Sequence, residues 1–234
     1  EAEKERMRGN LLRAVSHDLR TPLTSIYGAC SAMRDNFDAL PRQTHMKLLS
    51  DVCADAQWLV RMVENLLSVT RVDTSTVRLS KNDTVLEELI DAVLVKFHKH
   101  YPDTEVHVEI PEEFVSIPMD AMLISQVLMN LLENAVFHAK GMKNLWLRVE
   151  VKGFWAYFYV EDDGCGIPEE KLPKLFTGML GSEAPTDQSR SSMGIGLSVC
   201  SAIIKAHGGE IWANKRAGGG TEVGFRLEME DENG

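Results

Sequence analysis

Apolar residues recur every three or four positions along the first part of the chain, which is the spacing of one helix face. The pattern slips once, around Pro22, and its members are Leu12, Val15, Leu19, Leu23, Ile26, Cys30, Met33 and Phe37. Proline cannot donate a backbone hydrogen bond and crowds the preceding turn, so it bends a helix that contains it. The pattern therefore predicts a long amphipathic helix bent at Pro22.

A second helical stripe follows a break near Leu40–Pro41. Its members are Met46, Leu49, Cys53, Ala56, Val60, Val63, Leu67 and Thr70, with a second apolar column at Val52, Leu59 and Leu66. One antiparallel neighbour cannot cover so wide a stripe. We therefore predict a helical hairpin that dimerises into a four-helix bundle. A coiled-coil spacer without chemistry is the alternative at this point.

Beyond Val72 the pattern changes to short alternating stretches interspersed with helical ones. The alternating stretches are Val77–Leu79, Glu105–Ile110, Leu145–Val151, Ala156–Glu161, Glu210–Ala213 and Thr221–Leu227, and the helical ones are Val85–His98, Ala121–Ala139 and Ile195–His207. This order predicts an α/β sandwich with helices on one face of a mixed sheet. The polar stretch Ser182–Ser192 has no periodicity and is interpreted as a mobile loop.

The predicted fold class is thus α plus α/β. A helical domain covers residues 1–73, a linker covers 74–80, and the sandwich covers 81–230. The expected hinge between the two domains is Arg71–Ser80, which includes the linker.

Composition narrows the partners and the compartment. The 234 residues include 25 Lys and Arg against 35 Asp and Glu, a formal charge of −10 that would repel nucleic acid. Four separated cysteines without a CxxC pair, and the lack of a long uncharged apolar stretch, favour a reducing cytoplasmic compartment. Because the chain opens at Glu1 in a charged helical run, we expect it to be a piece of a longer protein.

The first candidate site lies on the first helix. If Leu12 and Leu19 occupy heptad position a, His17 falls at position f and faces solvent. Asp18 is adjacent, and Thr21 shares the outer face one turn later. An imidazole that attacks phosphorus must lose its N–H proton, which a neighbouring carboxylate can accept. His17 is therefore a candidate nucleophile and Asp18 a candidate base, although an exposed histidine beside an aspartate is common in proteins without catalysis.

The second candidate site begins on the helix around residues 121–139. Gln126, Asn130, Asn134 and His138 follow one another at steps of four, with an apolar face at Val127, Leu128, Leu131, Leu132 and Ala135. Amide oxygens suit Mg²⁺, which keeps waters and bridges to substrate phosphates. Taken alone, the polar positions are equally consistent with an exposed helix face.

Two glycine-rich segments follow. A strand ends at Val160–Glu161, and Asp162 follows it, shortly before Gly164 and Gly166. A missing side chain at these glycines lets the backbone approach a flat ligand, and Asp162 can accept a hydrogen bond from an exocyclic amine. A helix then starts at Met193, and its first amides can meet an anion. The glycines before Thr221 are as consistent with a hairpin turn as with a ligand contact.

Together these motifs resemble a known family. SHDLRTPLTSI is similar to the phosphoacceptor box of sensor histidine kinases. NLLENA, DDGCGIP, MGIGLS and HGG with GGGT resemble the N, G1, G2 and G3 boxes of the GHKL ATP-binding fold. The chain therefore resembles the dimerisation and phosphotransfer domain plus the catalytic domain of a bacterial two-component sensor histidine kinase. Its details are most similar to the KdpD-type potassium-responsive sensors.

The resemblance implies roles for particular residues. Asn134 matches the Mg²⁺-coordinating asparagine and Asp162 the aspartate that reads adenine. Asn130 stands where hydrolytic relatives such as gyrase and Hsp90 carry a water-activating glutamate. The remaining implied ATP contacts are His138, Gly164, Gly166, Ile167, Phe176, Gly194, Gly196, Leu197 and Thr221.

Two positions depart from the family pattern. Ser192 replaces the first glycine of the G2 box, and Phe137 replaces the usual basic residue after the N box. Phosphate neutralisation is left to one of three candidates, which are His138, Lys140 and Arg190. Phe176 is expected to hold a shortened lid.

The resemblance also implies an activity. ATP and Mg²⁺ would serve autophosphorylation of His17 and transfer to an aspartate of a response regulator receiver domain, and Asp18 and Thr21 would serve a phosphatase activity. The implied assembly is a homodimer, in a parent protein attached to the bacterial membrane through an N-terminal sensor region. Two alternatives remain open, a GHKL ATPase whose bundle is a dimer clamp and a degenerate kinase that acts as a binding scaffold.

Overall fold

The computed structural model describes residues 2–73, 79–176 and 193–229. For residues 2–18, 58, 61–62, 64–73, 174 and 193–195 only the backbone is described. The chain divides into two compact units, Glu1–Leu67 and Ser68–Gly234. The predicted mobile loop at residues 182–192 lies outside the described residues.

The first unit is the predicted helical hairpin. Helix α1 spans Ala2–Asp35 and helix α2 spans Arg42–Asp73. The chain turns between them after the amide of Asn36 donates to the carbonyl of Ala32 over 3.3 Å. The rings of Phe37 and His45 meet edge to face with centroids 5.3 Å apart, so an aromatic contact holds this turn closed. Helix α1 is continuous through Pro22; the predicted bend there stays a prediction.

The second unit combines two sheets with three helices. In chain order its elements are β1 Asn82–Val85, α3 Leu86–His100, β2 Val106–Glu109, β3 Ser116–Met119, α4 Ala121–His138, β4 Leu145–Lys152, β5 Trp155–Asp162, a short 3₁₀ turn Leu172–Lys174, α5 Met193–Ala206, β6 Glu210–Lys215 and β7 Thr221–Glu228. Strands β1 and β3 pair antiparallel, and the larger sheet has the order β2-β4-β5-β7-β6. Among the described strands, β2 and β4 pair in parallel and the other neighbours pair antiparallel, so the predicted mixed sheet is confirmed.

The core of the second unit lies between the larger sheet and the helices. Alternate residues of β4, β5 and β7 are fully buried, and α4 and α5 contact β5, β6 and β7. The rings of Phe158 and Phe225 stack with centroids 4.6 Å apart at the centre of this layer. Alternation of this kind buries one sheet face, as the sequence pattern predicted. Within the described part of the chain, no helix is long and apolar enough to cross a membrane.

The opposite sheet face is covered by its own side chains. Arg148 bonds Glu161 over 2.8 Å, pairs with Glu150 and lies 4.2 Å over the ring of Tyr159. Arg216 lies at the same distance over the ring of Trp146. These cation–π and ion-pair contacts let the face carry large aromatic rings without a helical layer.

Two described strands were not predicted from the sequence. One is Asn82–Val85, and the predicted stretch Val77–Leu79 before it lies mostly outside the described residues, so it stays a prediction. Strand β3 was missed because it has four residues and contains Pro118, which cannot donate to a neighbouring strand. A proline is tolerated there because β3 pairs only with β1 and has a free edge in its two-stranded sheet.

A buried histidine joins the start of α4 to the end of α5. His207 is 4% exposed, and its Nε2 accepts from the backbone N–H of Asp120 over 3.1 Å. Its Nδ1 lies 2.8 Å from the carbonyl of Ile203, which requires the Nδ1–H tautomer. Burial lowers the pKa of His207 below 6.5, against smaller opposing effects of the Ile203 bond and the Asp120 charge. The neutral ring is therefore the form that fits the fold.

We expect protonation of His207 to weaken this unit. Because its pKa is lowered in the folded state, its contribution is complete above about pH 6.5 and is lost as the pH falls through the folded value. One such bond contributes about 1 kcal/mol, or about 2–4 °C in Tm for a chain of this size. Calorimetry from pH 7.5 to 5.5 should show this loss, and His207→Gln should flatten it because the amide oxygen accepts without titrating. An unchanged slope in His207→Gln, equal to that of the exposed-site control His98→Gln, would contradict the assignment.

Candidate functional site

A cleft opens between the C-terminal half of α4, the end of β5 and the start of β7. It encloses about 500 Å³, counting the part open to solvent. Its walls are mostly apolar, with a few polar groups, and the lining residues are Leu131, Asn134, Ala135, His138, Ala139, Val160, Asp162, Gly166, Ile167, Leu197, Thr221 and Val223. A largely apolar cleft with few polar groups is typical of a small-molecule site.

Asp162 supplies the buried carboxylate of the cleft. It is the last residue of β5, and the strand's alternation directs it to the helix side with Val160. Its Oδ1 accepts from the backbone N–H of Gly164 over 2.9 Å, and the backbone of Thr221 also bonds it. Burial raises the pKa of Asp162, and these two backbone bonds oppose the shift. The carboxylate is thus held in one orientation with room for a ligand donor.

The glycines around Asp162 permit close backbone contacts. Gly220 has φ +91°, and a Cβ there would overlap the carbonyl oxygen of Asp162. Gly166 has φ +73°, and its Cβ would lie 3.2 Å from the carbonyl oxygen of Gly220. The glycine turn before β7 therefore packs on the backbone that carries Asp162. This is a structural role, whereas the sequence pattern was equally consistent with a hairpin turn and with a ligand contact.

Gly164 has a different neighbour from the one we expected. A Cβ on Gly164 would lie 2.6 Å from the Cβ of Ala139, at the end of α4. Gly164 is not among the residues that line the cleft. The absence of its side chain therefore lets the turn after β5 approach α4, rather than opening space for a flat ligand.

Two polar side chains of α4 enter the cleft. Asn134 and His138 lie one turn apart, and their Nδ2 and Nε2 atoms are buried without a hydrogen-bond partner among the described residues. Burial lowers the pKa of His138, so the imidazole is neutral at pH 7. Unpaired buried polar atoms are costly unless a ligand or water satisfies them. They fit a polar ligand that reaches the end of α4.

The sequence periodicity placed two residues of α4 on the wrong face of the helix. Leu131 and Ala135 were assigned to the apolar face opposite the asparagines, yet they line the same cleft as Asn134. Asn130 is only 9% exposed and is not a lining residue; its side chain bonds the buried thiol of Cys200 on α5. Burial raises the pKa of Cys200 to about 12, so this partner is an uncharged thiol.

Asp163, the neighbour of Asp162, faces away from the cleft. One of its oxygens accepts the backbone N–H groups of Lys143 and Asn144 over 2.7 and 2.9 Å, and the other accepts the amide of Asn144 over 2.7 Å. These bonds hold the pKa of Asp163 at about 2. We had not singled out this residue; an aspartate just after a strand end is a known acceptor for loop amides.

The structure brings together part of the predicted ATP-binding set. Residues that line the cleft are Asn134, His138, Asp162, Gly166, Ile167, Leu197 and Thr221. Predicted residues outside its lining are Asn130, Gly164, Phe176 and Gly196, and the backbone alone is described at Gly194. The two last glycines lie in the first turn of α5, and Phe176 is half-buried after the 3₁₀ turn.

The phosphoacceptor candidates lie on the other unit. His17 and Asp18 belong to α1, but their side chains are outside the described residues, so the predicted exposure of His17 stays a prediction. Thr21 is exposed on the same helix. Of the candidates for phosphate neutralisation, Arg190 is outside the described residues and Lys140 is exposed just beyond α4.

Sequence reasoning missed the aliphatic walls of the cleft. Val160 and Val223 face each other across β5 and β7, two positions before Asp162 and two after Thr221. Strand alternation would have placed them on the same face as those polar residues. Apolar residues in a strand carry no chemical signal of their own, so they read as core.

The side chains at the cleft determine whether a divalent ion can bind there. No group of three or more His, Cys, Asp or Glu side chains within the described residues could hold a metal. Asn134 nevertheless lines the cleft, and its side-chain amide carries an oxygen of the kind that Mg²⁺ accepts, while its buried, unpaired Nδ2 is a donor suited to a phosphate oxygen. This set fits an ion such as Mg²⁺, which takes most of its ligands from substrate phosphates and water.

Gly220→Ala should weaken ligand binding at this cleft. A side chain at a positive φ costs about 1–2 kcal/mol, and at Gly220 the added Cβ would also displace Asp162. Gly219→Ala is the matched control, because Gly219 has φ +107° and open space around it. We expect both variants to lose stability, and only Gly220→Ala to lose about tenfold or more in ATP affinity by calorimetry. Equal ATP affinities in the two variants would contradict this account of Gly220.

Two family models match the chain. Residues 7–75 match the His Kinase A (phospho-acceptor) domain. Residues 119–231 match the Histidine kinase-, DNA gyrase B-, and HSP90-like ATPase family. The two matches follow each other in the order of the hairpin and the cleft-bearing unit.

Curated relatives match along nearly the whole chain. The sensor protein KdpD of Clostridium acetobutylicum is 36% identical over 98% of this chain, and that of Escherichia coli K12 is 31% identical over 94%. The chain spans 26% and 24% of the length of these two relatives.

Solved structures share the fold. The Acinetobacter baumannii histidine kinase AdeS superimposes with a TM-score of 0.67 at 25% identity, over 92% of this chain and 98% of AdeS. Histidine kinase ThkA, solved in complex with response regulator protein TrrA, superimposes with a TM-score of 0.76 at 24% identity, over 100% of this chain and 65% of that one. With both modules matched in order, the chain belongs to the sensor histidine kinases and is similar to the KdpD proteins among them.

Proposed function

We propose that this chain is a kinase core that uses ATP and Mg²⁺ to phosphorylate its own His17 and then passes the phosphoryl group to an aspartate of a response regulator receiver domain. The observation that carries the proposal is the cleft itself. A buried, oriented carboxylate at Asp162 lies at one side, and unsatisfied polar atoms of Asn134 and His138 lie at the other. A nucleotide has matching groups, an amine at its base and anions at its phosphates.

Different residues of the cleft contact different parts of the nucleotide. The Asp162 carboxylate accepts from the exocyclic amine of adenine, and the aliphatic walls at Val160, Val223 and Leu197 pack on the base. Asn134 binds Mg²⁺ through its amide oxygen, and the neutral imidazole of His138 donates to a phosphate oxygen. Bound Mg²⁺ neutralises phosphate charge. Gly194 and Gly196 leave the first amides of α5 free to meet the anion.

The transfer step requires His17 to reach a nucleotide in the cleft, and the two belong to different units. We assign the required movement to Arg71–Ser80, the hinge expected from the sequence. The imidazole nitrogen of His17 donates its electron pair to the γ-phosphorus, the bond from phosphorus to the oxygen of ADP breaks, and Asp18 accepts the proton released from the ring. Positioning and charge neutralisation supply most of the rate enhancement.

The receiver and phosphatase steps use the same helix. ThkA was solved with a response regulator, which supports a receiver domain as the partner of this chain. Thr21 is exposed on α1 and can orient water against the acyl phosphate of a receiver. The parent protein would be attached to the bacterial membrane through a sensor region, with this core on the cytoplasmic side.

The ATPase alternative fits the cleft less well. A water-activating base would have to stand at Asn130, which is an amide bonded to Cys200 and outside the cleft lining. This observation favours phosphoryl transfer to protein over hydrolysis. A scaffold that binds nucleotide without turnover would use the same cleft, so the labelling experiment separates it from the kinase.

Incubation with γ-labelled ATP and Mg²⁺ tests the proposal. We expect an acid-labile, alkali-stable label on the protein that His17→Gln abolishes and that His45→Gln, at the other histidine of the hairpin, retains. Asp18→Asn should slow labelling about 10²–10⁴-fold with ATP affinity unchanged.

The same assay separates the alternatives. Free phosphate without protein label would indicate the ATPase, and neither product would indicate the scaffold. Labelled protein mixed with a receiver domain should lose its label to that domain, and Thr21→Ala should then preserve the receiver's phosphate longer.

We also propose that the hairpin forms a homodimer. In the single chain the two apolar columns of α2 differ in exposure to solvent. Val52 and Leu59 are half-buried within the hairpin, whereas Met46, Leu49, Val60 and Val63 are 47–59% exposed. A contiguous apolar stripe of this kind indicates an interaction surface, and a second hairpin supplies its match.

Val60→Glu should shift the protein from dimer to monomer in sedimentation, because it places a charge in the middle of the exposed stripe. Lys47→Glu, on the far side of α2, changes charge without touching the stripe and should remain dimeric. A monomeric wild type, or a Val60→Glu variant that dimerises as tightly as Lys47→Glu, would count against the dimer.

A further inference from the structure

The last residue of β5 and the three residues after it each make a different contact. Asp162 faces the cleft, and Asp163 bonds the loop of residues 139–144 that joins α4 to β4. Gly164 packs on Ala139 at the start of that loop, and the thiol of Cys165 lies 3.6 Å from the carbonyl of His138. The turn therefore contacts the end of α4 and both ends of the loop that follows.

The bonds of Asp163 hold the far end of this loop. Its carboxylate accepts two consecutive backbone N–H groups, those of Lys143 and Asn144, and a third donor from the Asn144 side chain, at 2.7–2.9 Å. Bonds to an ionised acceptor are about twice as strong as neutral ones. Both carboxylate oxygens are used, so the group cannot rotate without losing a bond.

The near end of the loop forms part of the cleft wall. Ala139 and His138 both line the cleft, opposite Asp162. The backbone at Gly164 lies so close to Ala139 that a side chain would not fit between them. If the loop moved relative to the turn, the end of α4 would therefore move with it. The separation between Asp162 and the Asn134 and His138 end of α4 therefore depends on how the loop is held.

We infer that Asp163 is a positioning residue that sets the distance between the adenine-binding and the phosphate-binding ends of the cleft. It does so through the backbone of Lys143 and Asn144 and makes no contact with the nucleotide itself. The inference rests on the proposed function, since it needs a nucleotide that spans the cleft. It predicts that a ligand touching both ends is sensitive to Asp163, whereas one touching only the Asp162 end is not.

The test compares Mg²⁺–ATP with adenosine on the full chain by calorimetry and competition. Asp163→Ala should weaken Mg²⁺–ATP binding about 10–100-fold, the usual loss when a supporting partner of a metal or phosphate site is removed. Adenosine affinity should stay at the wild-type value. Asp163→Asn keeps an oxygen acceptor for the two backbone N–H groups but loses the acceptor for the Asn144 side chain, so it should recover most of the Mg²⁺–ATP affinity, to about the level of Asn144→Ala. Asn144→Ala removes only the side-chain bond and should give a smaller loss in the same direction, which decides the matter if Asp163→Ala does not fold.

A control separates positioning from stability. Val93→Ala, in the core of α3, should lower Tm without changing either affinity well below Tm. Equal losses of ATP and adenosine affinity in Asp163→Ala, or no loss of either, would overturn the inference. A wild-type chain that binds no Mg²⁺–ATP would overturn the proposed function instead, so the two failures are distinguishable.

Discussion

Helix α4 is held at both ends by hydrogen bonds and close contacts from other parts of the chain, and the cleft depends on that restraint. At its start, His207 accepts the N–H of Asp120, which ties α4 to the end of α5. At its end, Gly164 lies against Ala139 while Asp163 pins the following loop. Because α4 carries the polar side chains of one cleft wall and the turn carries the other, their relative position determines which ligand fits.

Two neighbouring aspartates at the end of β5 have different electrostatic character. Asp162 is a buried carboxylate whose pKa is raised by burial, while Asp163 is a half-buried carboxylate whose bonds to the loop lower its pKa to about 2. One carboxylate is thus left available to a ligand donor, and the other is fully used by the protein. His138 contributes a neutral ring rather than a charge, so phosphate neutralisation would fall to Mg²⁺ and to cations beyond the cleft lining.

Separate modules divide the chemistry. The hairpin carries the candidate nucleophile and an exposed apolar stripe, and the second unit carries the nucleotide cleft. A nucleophile apart from its substrate limits phosphoryl transfer to conformations that bring the two together, which is where an upstream signal can act. Asn130, bonded to Cys200 rather than presented to the cleft, is consistent with a site that withholds water activation.

Spacing and periodicity in the sequence were sufficient for the hairpin and the mixed sheet, because these follow from local repeats. The prediction that Asn134, His138 and Asp162 belong to one site came instead from the order of the motifs and their resemblance to a known family. The tertiary structure alone decided the roles of Gly164, Gly220 and Asp163, since their partners lie 19 to 58 positions away in sequence. It also decided that Leu131 and Ala135 share a wall with Asn134, because a helix between layers presents more than two faces. The local sequence pattern indicates which residues can be buried or can form hydrogen bonds. Only tertiary packing determines which partner each of them contacts.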